Sequence, residues 1–100
     1  MAHLICYDIT NNSLRTKLGK RILRAGLDRI NKSVYLGTIG AGSLQLLEKD
    51  LASYLQQKPH PSDSLIVISV GSQQIQQMRV YGQNDLDRDE LTGAKSTLIV

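Results

Sequence analysis

The run His3-Leu4-Ile5-Cys6-Tyr7-Asp8-Ile9 constrains this chain more than any other stretch. It is too short to span a membrane and reads as a buried strand. The polar turn Thr10-Asn11-Asn12-Ser13 follows it. A second nearly unbroken apolar run, Leu65-Ile66-Val67-Ile68-Ser69-Val70, is closed by Gly71. Neither run alternates apolar with polar residues, so each asks for cover on both faces of its sheet. A carboxylate, Asp8, stands where the first run gives way to the turn. Desolvating an unpartnered Asp costs several kcal/mol, so that place needs a reason. Four are open: a cap for the following helix, an ion pair with Arg15 or Arg29, a metal ligand, or an acid–base group.

Between the two runs the apolar period changes. Leu14, Leu18, Ile22 and Ala25 recur at helical spacing, with Asn12 or Ser13 as the expected N-cap and Gly26 as the C-cap. Lys17, Lys20, Arg21 and Arg24 form a basic stripe beside that apolar face, while Leu23 points away from it. Residues 27–39 are β-prone with a polar interruption at Asn31 to Ser33, which predicts two short strands or one bent ribbon. Gly40 to Ser43 is a turn. A second amphipathic helix carries Leu44, Leu47, Leu51 and Leu55 to about Gln57. Lys58 to Ser62 is a loop. After the second apolar run, the Gln-rich stretch 73–77 predicts one helical turn, and Met78-Arg79-Val80-Tyr81 a short strand. Residues 82–95 are polar, and Thr97-Leu98-Ile99-Val100 closes the chain as an apolar strand.

This order predicts a single domain over residues 1–100, a ferredoxin-like βαββαβ α+β sandwich with an appended C-terminal strand. Two helices cover only one face of a small sheet, so the expected state is a homodimer closing over the other face. The segment 83–100 is expected to extend onto the partner's sheet edge. With four Tyr and no Phe or Trp, the core must be built from Leu, Ile and Val. The lone Cys6 excludes an intrachain disulfide, and His3 and His60 lie too far apart in sequence for a zinc motif. The start has no signal-peptide layout, and the expected setting is the cytoplasm, with no membrane partner.

Net charge is only +3, but its distribution is uneven. Arg15, Lys17, Lys20, Arg21, Arg24, Arg29 and Lys32 fall between positions 15 and 32 against one acid, Asp28. A polyanion would be drawn to that region and repelled by the later acidic stretch Asp85, Asp87, Asp89, Glu90. These seven cations are therefore the expected nucleic-acid-binding residues, through backbone contacts largely blind to sequence. One carboxylate is a poor magnesium site, but a two-fold axis near the end of the first strand would bring two copies of Asp8 together.

The chain resembles the small CRISPR-associated adaptation nuclease, Cas family number two. The matching residues are Leu4-Ile5-Cys6-Tyr7-Asp8-Ile9, Leu14-Arg15 with Lys17-Leu18, Gly26-Leu27-Asp28-Arg29-Ile30-Asn31-Lys32-Ser33-Val34-Tyr35-Leu36-Gly37, and Asp63-Ser64-Leu65-Ile66-Val67-Ile68. The resemblance implies a ferredoxin-like homodimer that works with the integrase Cas family number one to capture foreign DNA as new spacers. It also implies a magnesium-dependent endonuclease on single-stranded RNA or double-stranded DNA. Asp8 matches the metal-binding aspartate, and Arg15, Arg29 and Tyr35 match further positions implicated in catalysis. Tyr35 stands where many relatives carry Phe, and Lys17 where some carry Arg, which keeps the charge but loses bidentate phosphate geometry. Nuclease activity is not uniform in this family. A purely architectural DNA-binding subunit and a toxin-like ribonuclease on the same fold remain the rival readings. A generic RNA-recognition module lacks support because its paired sheet aromatics are missing.

Overall fold

The computed structural model of the chain describes residues 1–82. The elements are β1 (Ala2–Asp8), α1 (Asn12–Arg24), β2 (Asp28–Asn31), β3 (Val34–Thr38), α2 (Ala41–Gln57), β4 (Ser64–Val70) and α3 (Ser72–Gln77). The strands lie in the order β2-β3-β1-β4, every neighbouring pair antiparallel. Two strand–helix–strand units are thus interleaved, with β1 and β3 central. This is the ferredoxin-like α+β fold the sequence predicts. The expected strand 97–100 and the extension 83–100 lie outside the described residues.

β1 is central, paired with β3 on one side and β4 on the other. Its odd positions face α1 and α2. Ile5 packs there with Leu14, Leu18 and Ile22 of α1, Leu47 and Leu51 of α2, and Tyr35 of β3, all in one buried cluster. The Leu14–Leu18–Ile22 spacing gives α1 its buried stripe. The helix starts one residue earlier than expected: Asn11, not Asn12 or Ser13, is the N-cap, its Oδ1 accepting from the Leu14 amide at 2.9 Å. At the far end Gly26 takes φ +98, the left-handed conformation that lets the chain turn from α1 into β2. The polar interruption resolves as a hairpin between β2 and β3. Ser33 sits at φ 61 in its turn and offers its carbonyl to the Tyr7 amide at 3.1 Å.

The second face of the sheet carries the even positions of β1 and β4, and its cover is partial. A third helix, α3, folds Ile75 against Ala2 and Leu36, with Leu4, Ile30, Val70 and Met78 around them. The segment after α3 does not form the expected strand at Met78 to Tyr81. Met78 packs against this cluster on the face of the sheet, so the chain leaves the sheet instead of pairing at its edge. Beyond α3 the apolar row lies open: Ile66 is 52% and Ile68 48% exposed. Among the described residues no helix is long and apolar enough to cross a membrane.

An acidic strand end and a basic cleft

Asp8 is the last residue of β1 and pairs in register with Ser64 of β4. Alternation along β1 puts it on the same face as Leu4 and Cys6, whose cross-strand neighbours on β4 are Ile68 and Ile66. The exposed carboxylate therefore terminates the open apolar row. Two of its four possible explanations fall away. Asn11 takes the cap. The ion pairs among the described residues join Arg21 to Asp50 and His60 to Asp63, and Asp8 enters neither. No group of three or more metal-ligating side chains occurs among the described residues.

The turn that carries Asp8 is fixed from several directions. Ile9 is buried in the main core. Thr10 gives both its amide (2.9 Å) and its hydroxyl (3.0 Å) to Oδ1 of Asp63, the residue just before β4. Behind Asp63, Nδ1 of His60 lies 4.0 Å from the same oxygen and 2.8 Å from the Ser62 hydroxyl. In the sequence Asp63 stands out only as part of the stretch that carries the family resemblance. Its partner lies 53 residues away, and no local pattern marks that contact.

On the opposite, helix-covered side, Tyr7 and Tyr35 stack at 6.0 Å between ring centroids, 24° from parallel. Their hydroxyls are 3.3 Å apart, and Tyr7 donates to the main-chain carbonyl of Arg15 at 3.2 Å. In the bond between the rings either hydroxyl can donate. Burial, then the hydrogen bond with Tyr35, pushes the Tyr7 phenol up from 10.0 to about 12, so it stays protonated. Gly19 of α1 makes room for the pair: a Cβ there would meet the Tyr35 hydroxyl at 2.6 Å. Tyr7 and Gly19 had not been singled out as site residues, and two tyrosines 28 residues apart give no sequence signal of contact.

Above this pair lies a cleft of about 290 Å³ between α1 and the β2–β3 hairpin, lined by Tyr7, Arg15, Thr16, Gly19, Lys20, Leu23, Arg29, Lys32, Ser33 and Tyr35. Four of the seven expected cations meet there, with no carboxylate in the wall. Leu23, without a role in the core, stands half-exposed at this wall. Two other cations turn to α2 instead. Arg21 binds Asp50 at 2.8 Å, while Lys17 reaches Gln57 at 3.4 Å and sits 4.2 Å over the Tyr54 ring. Arg24 is exposed in the last turn of α1, outside the cleft. The expected catalytic set is likewise divided. Arg15, Arg29 and Tyr35 gather at the cleft, while Asp8 stands on the other face of the sheet.

The domain is thus a ferredoxin-like α+β fold with a basic cleft, no carboxylate in its wall, on one side, and on the other an acidic strand end that enters no ion pair among the described residues. The chain belongs to the family described as CRISPR associated protein Cas2, whose profile matches residues 1–78. It is 29% identical over 85 residues to the CRISPR-associated endoribonuclease Cas2 of Thermofilum pendens, covering 85% of this chain and 87% of that one. To the protein of the same name from Korarchaeum cryptofilum it is also 29% identical over 85 residues, covering 85% and 88%. In fold it is similar to Cas2 of Streptococcus pyogenes, whose crystal structure superposes with a TM-score of 0.70 at 17% identity, over 82% of this chain and 100% of that one.

Proposed function

We propose that this chain is a homodimeric, cytoplasmic CRISPR adaptation subunit that hydrolyses nucleic-acid phosphodiesters with a magnesium ion held between the two copies of Asp8. It acts beside the integrase Cas family number one, on captured double-stranded DNA, and takes single-stranded RNA as a second substrate. The relatives' names, endoribonucleases, make RNA the first cleavage substrate to test. The observation that carries the reading is the position of Asp8, exposed and without an ion-pair partner among the described residues, at the end of an apolar row in which Ile66 and Ile68 are half-exposed. Covering that row with a second copy, two-fold related, gathers two carboxylates at one end of the interface.

The residues fit a hard cation as half-sites. Each subunit gives one carboxylate, and a pair is the usual protein share of a magnesium site. Without a cation two facing carboxylates repel. When bound, magnesium supplies Lewis acidity toward a phosphoryl oxygen. Asp63 and Thr10 hold the turn beside Asp8, and the basic residues hold the polyanion against the domain. Incubation of the purified protein with RNA or DNA, in magnesium or in chelator, tests the reading. Cleavage is expected only in magnesium and is expected to be lost in Asp8→Asn. Magnesium-supported cleavage that survives Asp8→Asn would leave the architectural subunit, with all chemistry in the integrase, as the better account.

A further inference from the structure

We infer that the cleft between α1 and the β2–β3 hairpin is the docking site of this chain's own acidic run, Asp85, Asp87, Asp89 and Glu90. The run closes over the cleft when no nucleic acid is bound and must leave before one can enter. The occupant is thus an acidic peptide, and the chain competes with its own substrate. The competition rests on the proposed reading of the chain as a nucleic-acid-binding protein; the contact between run and cleft does not.

Three observations carry the inference. The first is charge. Arg15, Lys20, Arg29 and Lys32 line the cleft, no Asp or Glu does, and none of the four enters an ion pair among the described residues. Arg21, by contrast, is neutralised by Asp50 at 2.8 Å. Cations gathered around a concavity attract anionic charge. Four of the chain's nine acids fall within residues 85–90, against one cation, Arg88. The second is reach. α3 follows β4 and lays Ile75 over Ala2 of β1 and Leu36 of β3, so it heads across the second face toward β2. Ile30 of β2 and Met78 pack against that same cluster. Arg29 precedes Ile30 and alternates to the helix side, where it pairs with Tyr35. Only the edge strand β2 therefore stands between the chain at Met78 and the cleft. Asp85 comes seven residues after Met78, a stretch that spans at most about 25 Å, whereas the layer to be rounded is about 10 Å thick. The third is the wall. Leu23 is 50% exposed among the cations of the cleft. A phosphate gives such a side chain little to pack on, whereas the acidic run carries Leu86 and Leu91 beside its carboxylates. An apolar side chain among cations thus matches an acidic, leucine-bearing peptide better than a bare phosphodiester. A short tether holds the run at an effective concentration on the order of millimolar, so ion pairs that are weak singly suffice to fill the cleft.

The test compares the full wild-type chain with a neutralised variant carrying Asp85→Asn, Asp87→Asn, Asp89→Asn and Glu90→Gln. The first readout is the arginine side-chain Nε–Hε signals by nuclear magnetic resonance, without nucleic acid. The Arg15 and Arg29 signals are expected to differ between the two proteins, while those of Arg21, held by Asp50, and Arg24, outside the cleft, stay in place. The second readout is fluorescence anisotropy of a labelled single-stranded oligonucleotide in chelator. Neutralisation is expected to tighten binding about tenfold, since the tethered competitor is gone. Loss of simple repulsion would tighten it equally in every background, and displacement would not. In an Arg29→Ala background the gain is expected to shrink to about threefold, while an Arg24→Ala background keeps it at about tenfold. Arg15 and Arg29 signals that stay in place, or that move no more than Arg24, would overturn the inference. So would a gain of the same size in the Arg29→Ala and Arg24→Ala backgrounds. If the wild type and the neutralised variant bind no oligonucleotide at all, the nucleic-acid reading fails alone, because the resonance comparison still decides the contact.

Discussion

Gly19→Ala probes the packing of the tyrosine pair. In an exposed helix this substitution stabilises by about 1 kcal/mol, because Gly is the poorest helix former after Pro. Here the added methyl would lie 2.6 Å from the Tyr35 hydroxyl and 3.2 Å from that of Tyr7. Tyr35 is only 4% exposed and is stacked on Tyr7, so its ring has little room to yield. Overpacking of this kind costs about 1–3 kcal/mol, which outweighs the propensity gain and leaves Gly19→Ala destabilised by roughly 1 kcal/mol. Tyr35→Phe alone gives up the hydrogen bond to Tyr7, about 1 kcal/mol. Together they should not add. With the hydroxyl gone, the nearest remaining atom of ring 35 is Cζ at 3.7 Å, an ordinary contact, the Tyr7 hydroxyl at 3.2 Å has only a few tenths of an ångström to give, and most of the helix gain is recovered. The double variant is therefore expected near wild-type stability, a favourable coupling of about 2 kcal/mol in a double-mutant cycle. Thermal unfolding resolves this easily, since 1 kcal/mol moves the midpoint by about 4–8 °C in a domain of this size. If Gly19→Ala raises the midpoint and the two changes simply add, the close packing of Tyr35 against α1 is wrong.

Other outcomes follow from the same contacts. Ile66→Asp places a charge in the open apolar row and should yield monomers by light scattering, with the fold kept by circular dichroism; a dimer that survives would put the interface elsewhere. Asp63→Ala removes the acceptor for both Thr10 bonds, and should cost about 1–3 kcal/mol and lower metal-supported cleavage. Asp63→Asn keeps an acceptor oxygen and should restore most of both, whereas equal behaviour of the two variants would count against Asp63 holding the turn. Tyr7 has its pKa raised from 10.0 to about 12 in the folded chain, so the unfolded chain releases this proton first. Its contribution to stability is complete below pH 10 and is lost as pH rises toward 12. Urea midpoints should show this alkaline loss in wild type and less of it in Tyr7→Phe.

The fold was legible because its strongest signals are local. The Leu14–Leu18–Ile22 stripe, the two strands apolar on both faces and the Gly26 cap each state their geometry within a few residues. The position of Asp8 at a strand end was legible for the same reason. What stayed hidden depends on distant partners. Helical periodicity put Lys17, Lys20, Arg21 and Arg24 in one stripe, but it could not show that Asp50 would claim Arg21 or that Gln57 and Tyr54 would claim Lys17. The gathering of Arg15 with Arg29 and Lys32 required the β2–β3 hairpin to fold back beside α1. The β-prone composition of Met78 to Tyr81 misled because Ile75 and Met78 found a better place on the sheet's second face. Strand propensity there gave way to burial.

The central claim is that two chains share one cation through Asp8. Manganese, used as a magnetic stand-in for magnesium, can be titrated into the purified protein and bound metal counted by electron paramagnetic resonance. The account requires saturation at one ion per two chains, and loss of that site in Asp8→Asn. One ion per chain, or a site untouched by Asp8→Asn, would contradict it.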